Sequence, residues 1–312
     1  MSVKEHIIGK VILAPMAGIT DRAFREICIE QGADFVYTEM ISAKALNYND
    51  HKTKSLLITG EEEKPYGIQI FGSEPEVISE AVKRLGGENH SILDINMGCP
   101  APKVVKNGDG AALMLDPLKA EKIMDAAVKA SDRDVTAKIR LGWDDHRINY
   151  LEIAKRLEAK GAKAITLHGR TREQFYSGKA FWEPIRTLKE ALSIPVIGNG
   201  DIFSFTDAEN LLKQTAVEAI MIGRGVRGNP FIFNEIKQRD GWRGVSSSQM
   251  KKVILRHMEK TVEYKGIHRG VQEMRKHLGW YLKGKPGSGA IKNSINQTKE
   301  YSAMRNIVEE LF

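Results

Sequence analysis

The chain has 312 residues, of which 42% are hydrophobic and 28% charged, with only 10 prolines; that balance belongs to a folded protein and excludes a disordered or collagen-like one. No apolar stretch approaches the ~18 residues a bilayer-spanning helix needs, Lys4, Glu5 and Lys10 interrupt the amino terminus before a signal-type core can form, and two cysteines make no disulfide framework, so a cytoplasmic location is expected. The net charge of +7 has one address: residues 1–240 hold 33 Lys and Arg against 34 Asp and Glu, whereas residues 241–312 hold 14 against 6, which predicts a polyanionic partner such as nucleic acid for the final quarter, an anionic membrane surface being the alternative.

Short apolar, β-branched runs begin at Val11 (VILAPMAGI), Phe35 (FVYTEM), Tyr66 (YGIQIFG), Ser91 (SILDINMG), Val135 (VTAKIRLG), Ala164 (AITLHGRT), Pro195 (PVIGNGD) and Ala219 (AIMIGRG). Between them, stretches such as EVISEAVKRLGG, LKAEKIMDAAVKA and DAENLLKQTA space their apolar residues as helices do. Near-continuous apolar strands alternating with helices imply a parallel sheet covered on both faces. Eight such units are the number that closes a TIM (β/α)8 barrel, an open doubly wound sheet being the alternative. After residue 240 only helical patterns remain. Ser246–Ser248 offer a cap, and three apolar stripes follow: Ile254, Met258 and Val262; Val271, Met274, Leu278 and Tyr281; Met304, Ile307, Val308 and Leu311. The expected organisation is a barrel over 1–240 followed by a small all-α helical bundle over 241–312.

Polar residues gather at the carboxyl ends of the runs: Pro15–Ala17, Glu39, Gln69, Asn96 and Cys99, Lys138 and Arg140, His168 and Arg170, Asn199–Asp201, Gly223 and Arg224. In a barrel these ends converge on one mouth, where active sites are built. GRGVRG, from Gly223 to Gly228, matches a dinucleotide-binding G-x-G-x-x-G, but it ends the pattern instead of opening it, and Asp240 stands too near to serve as the acidic partner. After an eighth barrel strand, and beside GNGD (Gly198–Asp201) after a seventh, the same glycines predict a site for one terminal phosphate, held by backbone N–H groups and Arg224.

Lys138 sits inside VTAKI, where an ammonium is costly unless an anion or electron-rich group meets it. Taken singly, His168 reads as a satisfied core histidine and Gln69 as a strand cap. Cys28, on a helical stretch, reads as a small buried hydrophobe. Cys99 differs: Gly-Cys-Pro is a loop at the mouth, and no further cysteine or histidine stands at metal-ligand spacing. Its thiol is therefore a nucleophile, with His168 as its base, or a proton donor.

The stretch LDINMGCPAPKVVKNGDGA, from Leu93 to Ala111, resembles the signature segment of the tRNA-dihydrouridine synthases. APMAGITDRAFR, QIFGS, AKIRLGW, LHGRTREQ, IGNGDI, GRGVRGNP and MRKHLGWYLKG follow the same family's order over essentially the whole chain, with the likeness closest to the bacterial B-type branch. The resemblance implies FMN held by Pro15, Met16, Ala17, Gln69, Lys138, His168, Asn199, Gly200, Asp201, Gly223 and Arg224, with NADPH as electron donor and no metal. It makes Cys99 the general acid that protonates C5 of a uracil receiving hydride at C6, and sets Asn96 and Arg170 on that uracil. The base must leave the tRNA stack to reach such a pocket, while basic residues of the bundle, Arg275, Lys276 and Lys283 among them, grip tRNA phosphates. A monomer is expected. An FMN-dependent reductase of a free pyrimidine or orotate-like molecule is the alternative, and it leaves the basic tail without a task.

Overall fold

The computed structural model describes residues 2–285 and 287–312. Its strands are β1 (Val11–Leu13), β2 (Phe35–Tyr37), β3 (Ile41–Ser42), β4 (Tyr66–Phe71), β5 (Ile92–Asn96), β6 (Asp134–Arg140), β7 (Ile165–His168), β8 (Val196–Asn199) and β9 (Ala219–Ile222). Every pairing between them is parallel, and β9 returns to β1, with Val11 opposite Ile220 and Leu13 opposite Ile222. The sheet is thus a closed TIM barrel surrounded by helices. β2 and β3 both pair with β4, so nine segments fill eight barrel positions. FVYTEM is interrupted because the Thr38 hydroxyl accepts from the Gln69 N–H at 3.2 Å and Glu39 turns away to the Gly18 N–H. β1 stops at Leu13, short of its apolar run, since Pro15 has no N–H to give a ladder.

Alternate side chains of each strand face the barrel axis. At the end away from the mouth the filling is apolar: Ile12, Phe35, Tyr37, Ile92, Ile197 and Ala219 belong to one buried cluster, closed by Val3 and Ile7 of the amino-terminal helix and reaching up to Met221 below the mouth. One level higher it turns polar. The register sets Gln69 opposite Asp94 and Asp94 opposite Thr136, and Asn96, Lys138 and His168 lie nearer the carboxyl ends of their strands. A larger apolar cluster fills the layer between strands and surrounding helices.

Helices Ser247–Lys265, Ile267–Tyr281, Ser288–Gln297 and Tyr301–Leu311 complete the chain. The first opens on a capping box in which Ser246 accepts from the Gln249 N–H and Gln249 reaches back to the Ser246 N–H. The expected stripes meet in a core of their own, with Ile254, Met258, Val271, Met274, Leu278, Met304 and Val308 all buried. This bundle is tied to the barrel helix Arg22–Glu30. Lys260 and the Tyr264 hydroxyl bond Glu26, Lys265 bonds Asp21, and the His257 ring stacks on Phe24 at 5.1 Å. Removing one partner from an ion pair as buried as Lys260–Glu26 costs ~3–5 kcal/mol. Part of the positive charge of the final quarter is therefore spent inside the molecule, with Arg256, Lys260, Lys265, Arg269 and Arg305 all in ion pairs. The loop after β9 also touches the bundle: Gly228, at φ +72°, lies so close to the Trp280 carbonyl that a Cβ would collide with it. Among the described residues, no helix is long and apolar enough to cross a membrane.

Candidate active site

The carboxyl ends of the strands surround a cleft lined by residues of β5, β6, β7, β8 and β9, the loops after them, and the loops after β1 and β2. Pro15, Met16 and Ala17 form one rim, Cys99 and Pro100 another, and Gly200, Asp201, Gly223 and Arg224 a third. Lys138, His168 and Asn199 stand in the floor, and Met221 supplies an apolar wall.

Cys99 is held by its loop's own chemistry. Asn96, the last residue of β5, turns its side chain back so that Oδ1 accepts from Cys99 N–H at 2.9 Å and Gly98 N–H at 3.2 Å. Such a turn needs a short side chain with an acceptor oxygen at that spacing. Arg140 Nε donates to the Gly98 carbonyl at 2.8 Å, and the Cys99 carbonyl accepts from Ala111 N–H at 3.0 Å. Gly110, at φ +59°, lets the returning segment pass: a Cβ there would stand 2.8 Å from the Cys99 carbonyl oxygen. The thiol is half-buried, and burial pushes its pKa above the ordinary value against the opposing pull of the Ala101 N–H and of Arg140. It therefore stays protonated at neutral pH. That favours a proton donor over a thiolate nucleophile, and His168 does not bond it.

Four cationic side chains line the cleft: Lys138, Arg140, Arg224 and Arg227. Lys138 Nζ donates to Asn199 Oδ1 at 2.9 Å, and burial, then Arg140, pulls its ammonium down to about 7. Arg140 is buried, lowered to about 10 chiefly by desolvation, and also donates to the Thr171 and Phe175 carbonyls at 2.8 and 3.0 Å. It thereby staples the Cys99 loop to the loop after β7. Arg224 pairs with Asp201 Oδ1 at 2.7 Å and lies under the Tyr176 ring, 4.7 Å from its centroid. His168 is buried with neither ring nitrogen partnered. Desolvation, then the charges of Lys138, Arg140 and Arg170, holds it well below its usual pKa, so it is neutral, with one donor and one acceptor to offer. A planar, polar-edged, monophosphorylated ring system suits this set: unpartnered imidazole atoms and an ammonium for its edge, methionine walls for its faces, and Gly223 with Arg224 at the last strand end.

Twelve of the residues given a site role from the sequence line the cleft: Pro15, Met16, Ala17, Asn96, Cys99, Lys138, His168, Asn199, Gly200, Asp201, Gly223 and Arg224. Gln69 does not. It is fully buried beneath the floor, donating to Asp94 Oδ2 at 2.7 Å and accepting from Asn96 Nδ2 at 2.8 Å. Arg170, expected on the uracil, lies behind the wall, because Asp201 Oδ2 at 2.6 Å and the Ser177 and Gly178 carbonyls engage it. Of the tail residues, Arg275 donates to the Thr298 carbonyl at 2.7 Å and Lys276 to the Gly18 carbonyl, whereas Lys283 is exposed. Sequence reasoning placed Arg140 at the mouth without a role and passed over Phe175, Tyr176 and Arg227, which also line the cleft. The aromatic pair FY after a barrel strand was the available signal.

A family model described as dihydrouridine synthase matches residues 12–312. The chain is 39% identical over 308 residues to tRNA-dihydrouridine synthase B of Pseudomonas aeruginosa, covering 97% of this chain and 93% of that one. It is also 39% identical over 312 residues to a protein of Rickettsia conorii named "Probable tRNA-dihydrouridine synthase", with 98% and 94% covered. Among solved structures, histamine dehydrogenase from Rhizobium sp. 4-9 shares the barrel fold at a TM-score of 0.60 and 13% identity, over 83% of this chain and 50% of that one.

Proposed function

The chain belongs to the dihydrouridine synthase family, and from that premise we propose that it is a flavin-dependent oxidoreductase that reduces uridine to dihydrouridine in tRNA, with FMN as the flavin and NADPH as electron donor. The observation that carries the reading is the thiol of Cys99 on one rim of a cleft whose floor holds Lys138, Asn199 and an unpartnered His168. The bound flavin supplies the hydride that no side chain can deliver.

The rest is the work of this chain's own residues. Cys99 Sγ keeps its proton at neutral pH and gives it to the pyrimidine carbon that becomes basic once hydride has arrived. Lys138 and neutral His168 would hold the polar edge of a bound flavin, where the Lys138 ammonium would offset negative charge. Arg224, steadied by Asp201, and the backbone at Gly200 and Gly223 receive the phosphate. Asn96 has one amide hydrogen left, facing Met40 Sδ at 3.7 Å, and turns it to the uracil. Residues 1–240 form the catalytic domain and 241–312 the tRNA-binding one, where Lys283 is exposed for phosphate contact. The working unit in this reading is a monomer. The alternative, reduction of a free pyrimidine, leaves the basic excess of 241–312 unexplained.

The test is direct. Purified protein should be yellow, oxidise NADPH only when tRNA lacking dihydrouridine is added, and add two hydrogens to a uridine detected by mass spectrometry of the digested tRNA. Equal NADPH oxidation with free uracil or uridine overturns the tRNA assignment.

A further inference from the structure

Asp94 is an unexpected residue for the inside of a barrel. It is 2% exposed, meets no cation at ion-pair distance among the described residues, and is satisfied only by Gln69 Nε2 at 2.7 Å and the Thr136 hydroxyl at 2.6 Å. Burying a carboxylate on two neutral donors is costly. An apolar residue, such as Ile92 one inward step earlier on β5, fills the same kind of position at no such cost.

What the carboxylate provides is direction. Ionised, it accepts and cannot donate, so the Gln69 amide must point Nε2 at it and Oε1 away. Oε1 then faces Asn96 and accepts from Nδ2 at 2.8 Å. With Nδ2 so engaged, Asn96 Oδ1 is the end left for the loop, where it accepts from Gly98 and Cys99 N–H. Reversing either amide puts oxygen against oxygen at Asp94 or nitrogen against nitrogen at the loop. Chains of this kind are cooperative, each bond fixing the next.

We propose that Asp94 is a positioning residue for the Cys99 loop, setting the polarity of a hydrogen-bond chain that runs through Gln69 and Asn96 to the backbone of Gly98 and Cys99. Asp94 touches neither the thiol nor the cleft and acts only through the two amides. The proposal rests on the reading of Cys99 as proton donor for its effect on turnover, but not for its effect on the loop.

The loop is read by alkylating Cys99 with iodoacetamide in the flavoprotein as purified; Cys28, fully buried, stays silent. Asp94→Leu removes the acceptor and should raise the alkylation rate about ten-fold at fixed pH, the change in population that one anchoring hydrogen bond governs. In the same variant kcat for dihydrouridine formation should fall by a similar factor with KM for tRNA unchanged. Asp94→Asn, whose Oδ1 can still accept from Gln69 while its amide donates to Thr136 but which can also present the reverse face, should restore both in part. If Asp94→Leu does not fold, Gln69→Met cuts the chain one link nearer the loop, and the same rise is expected against wild type when both are stripped of flavin. Unchanged alkylation in whichever of these two variants folds overturns the proposal, as does an Asp94→Asn variant as reactive as Asp94→Leu. If Cys99→Ala still makes dihydrouridine, the proton-donor reading fails, and the alkylation rates still decide the role of Asp94.

Discussion

Lys138 Nζ donates to Asn199 Oδ1 at 2.9 Å, and Asn199 Nδ2 donates onward to the Met221 carbonyl at 2.7 Å, so the ammonium is held by a neutral amide and not by a carboxylate. Burial and Arg140 bring it down to about 7. An anionic partner at Nζ raises that value, so above pH 7 the complex binds more protons than the free protein, and linkage makes affinity fall as pH rises. Flavin binding to stripped protein, followed by fluorescence, should weaken between about pH 7 and 9 by at most about ten-fold per unit. Lys138→Met should flatten the curve. A flat wild-type profile means that no negative charge meets this side chain.

Cys99→Ala should bind FMN and tRNA as the wild type does and lose dihydrouridine formation by about 100-fold or more, the scale of a missing general acid. Because burial raises the thiol pKa, wild-type turnover should hold steady through neutral pH and decline only in alkaline solution as the thiolate forms. Single-turnover measurements across that range check both statements. Undiminished product from the alanine variant removes Cys99 from the proton path.

Binding of tRNA should be steeply salt-dependent, since phosphate contacts release counterions. Lys283 is exposed on the bundle, and Lys283→Ala should lower the slope of log Kd against log salt by about one unit. Lys260→Met should act otherwise, through the lost ion pair with Glu26, lowering thermal stability with little change in slope. Filter-binding titrations at several salt concentrations, set beside melting curves, separate the two.

His257 gives the bundle interface a pH response. It is buried against Phe24, His277 and Tyr281, with Asp21, Lys265 and Lys276 the charges about it, and burial lowers it to about 4. Unfolded, it takes up a proton near pH 6.5; its contribution is complete above that value and lost as pH falls toward 4. Urea unfolding should show ~2 kcal/mol less stability at pH 5 than at pH 7 from this group, with a smaller drop in His257→Gln. Equal drops in the two proteins exclude His257 as the source.

The barrel was legible because its strands are buried on both faces and leave unbroken apolar runs, while a strand's carboxyl end is marked by the first polar residue after the run. Lys138, His168 and Asn199 could be placed in one cleft on that basis alone. Partner choice was not legible. Gln69 and Arg170 sit at the right ends of their strands, but each is claimed by a residue 25 or more positions away, a competition settled by register and shear that periodicity does not encode. Asp94 looked like one polar letter in ILDIN, and only closure of the sheet put it inside. In the tail, composition counted charges without telling Lys260, consumed by Glu26, from Lys283.

Gly228 fixes how the end of the barrel meets the bundle. Where it passes the Trp280 carbonyl there is room for backbone and nothing more, so the segment that ends the barrel and the bundle helix Ile267–Tyr281 are fitted to each other at atomic contact. The tail is accordingly not a detachable cargo on a tether: transplanting it to another barrel requires carrying over the glycine and the acidic face of helix Arg22–Glu30 as one block.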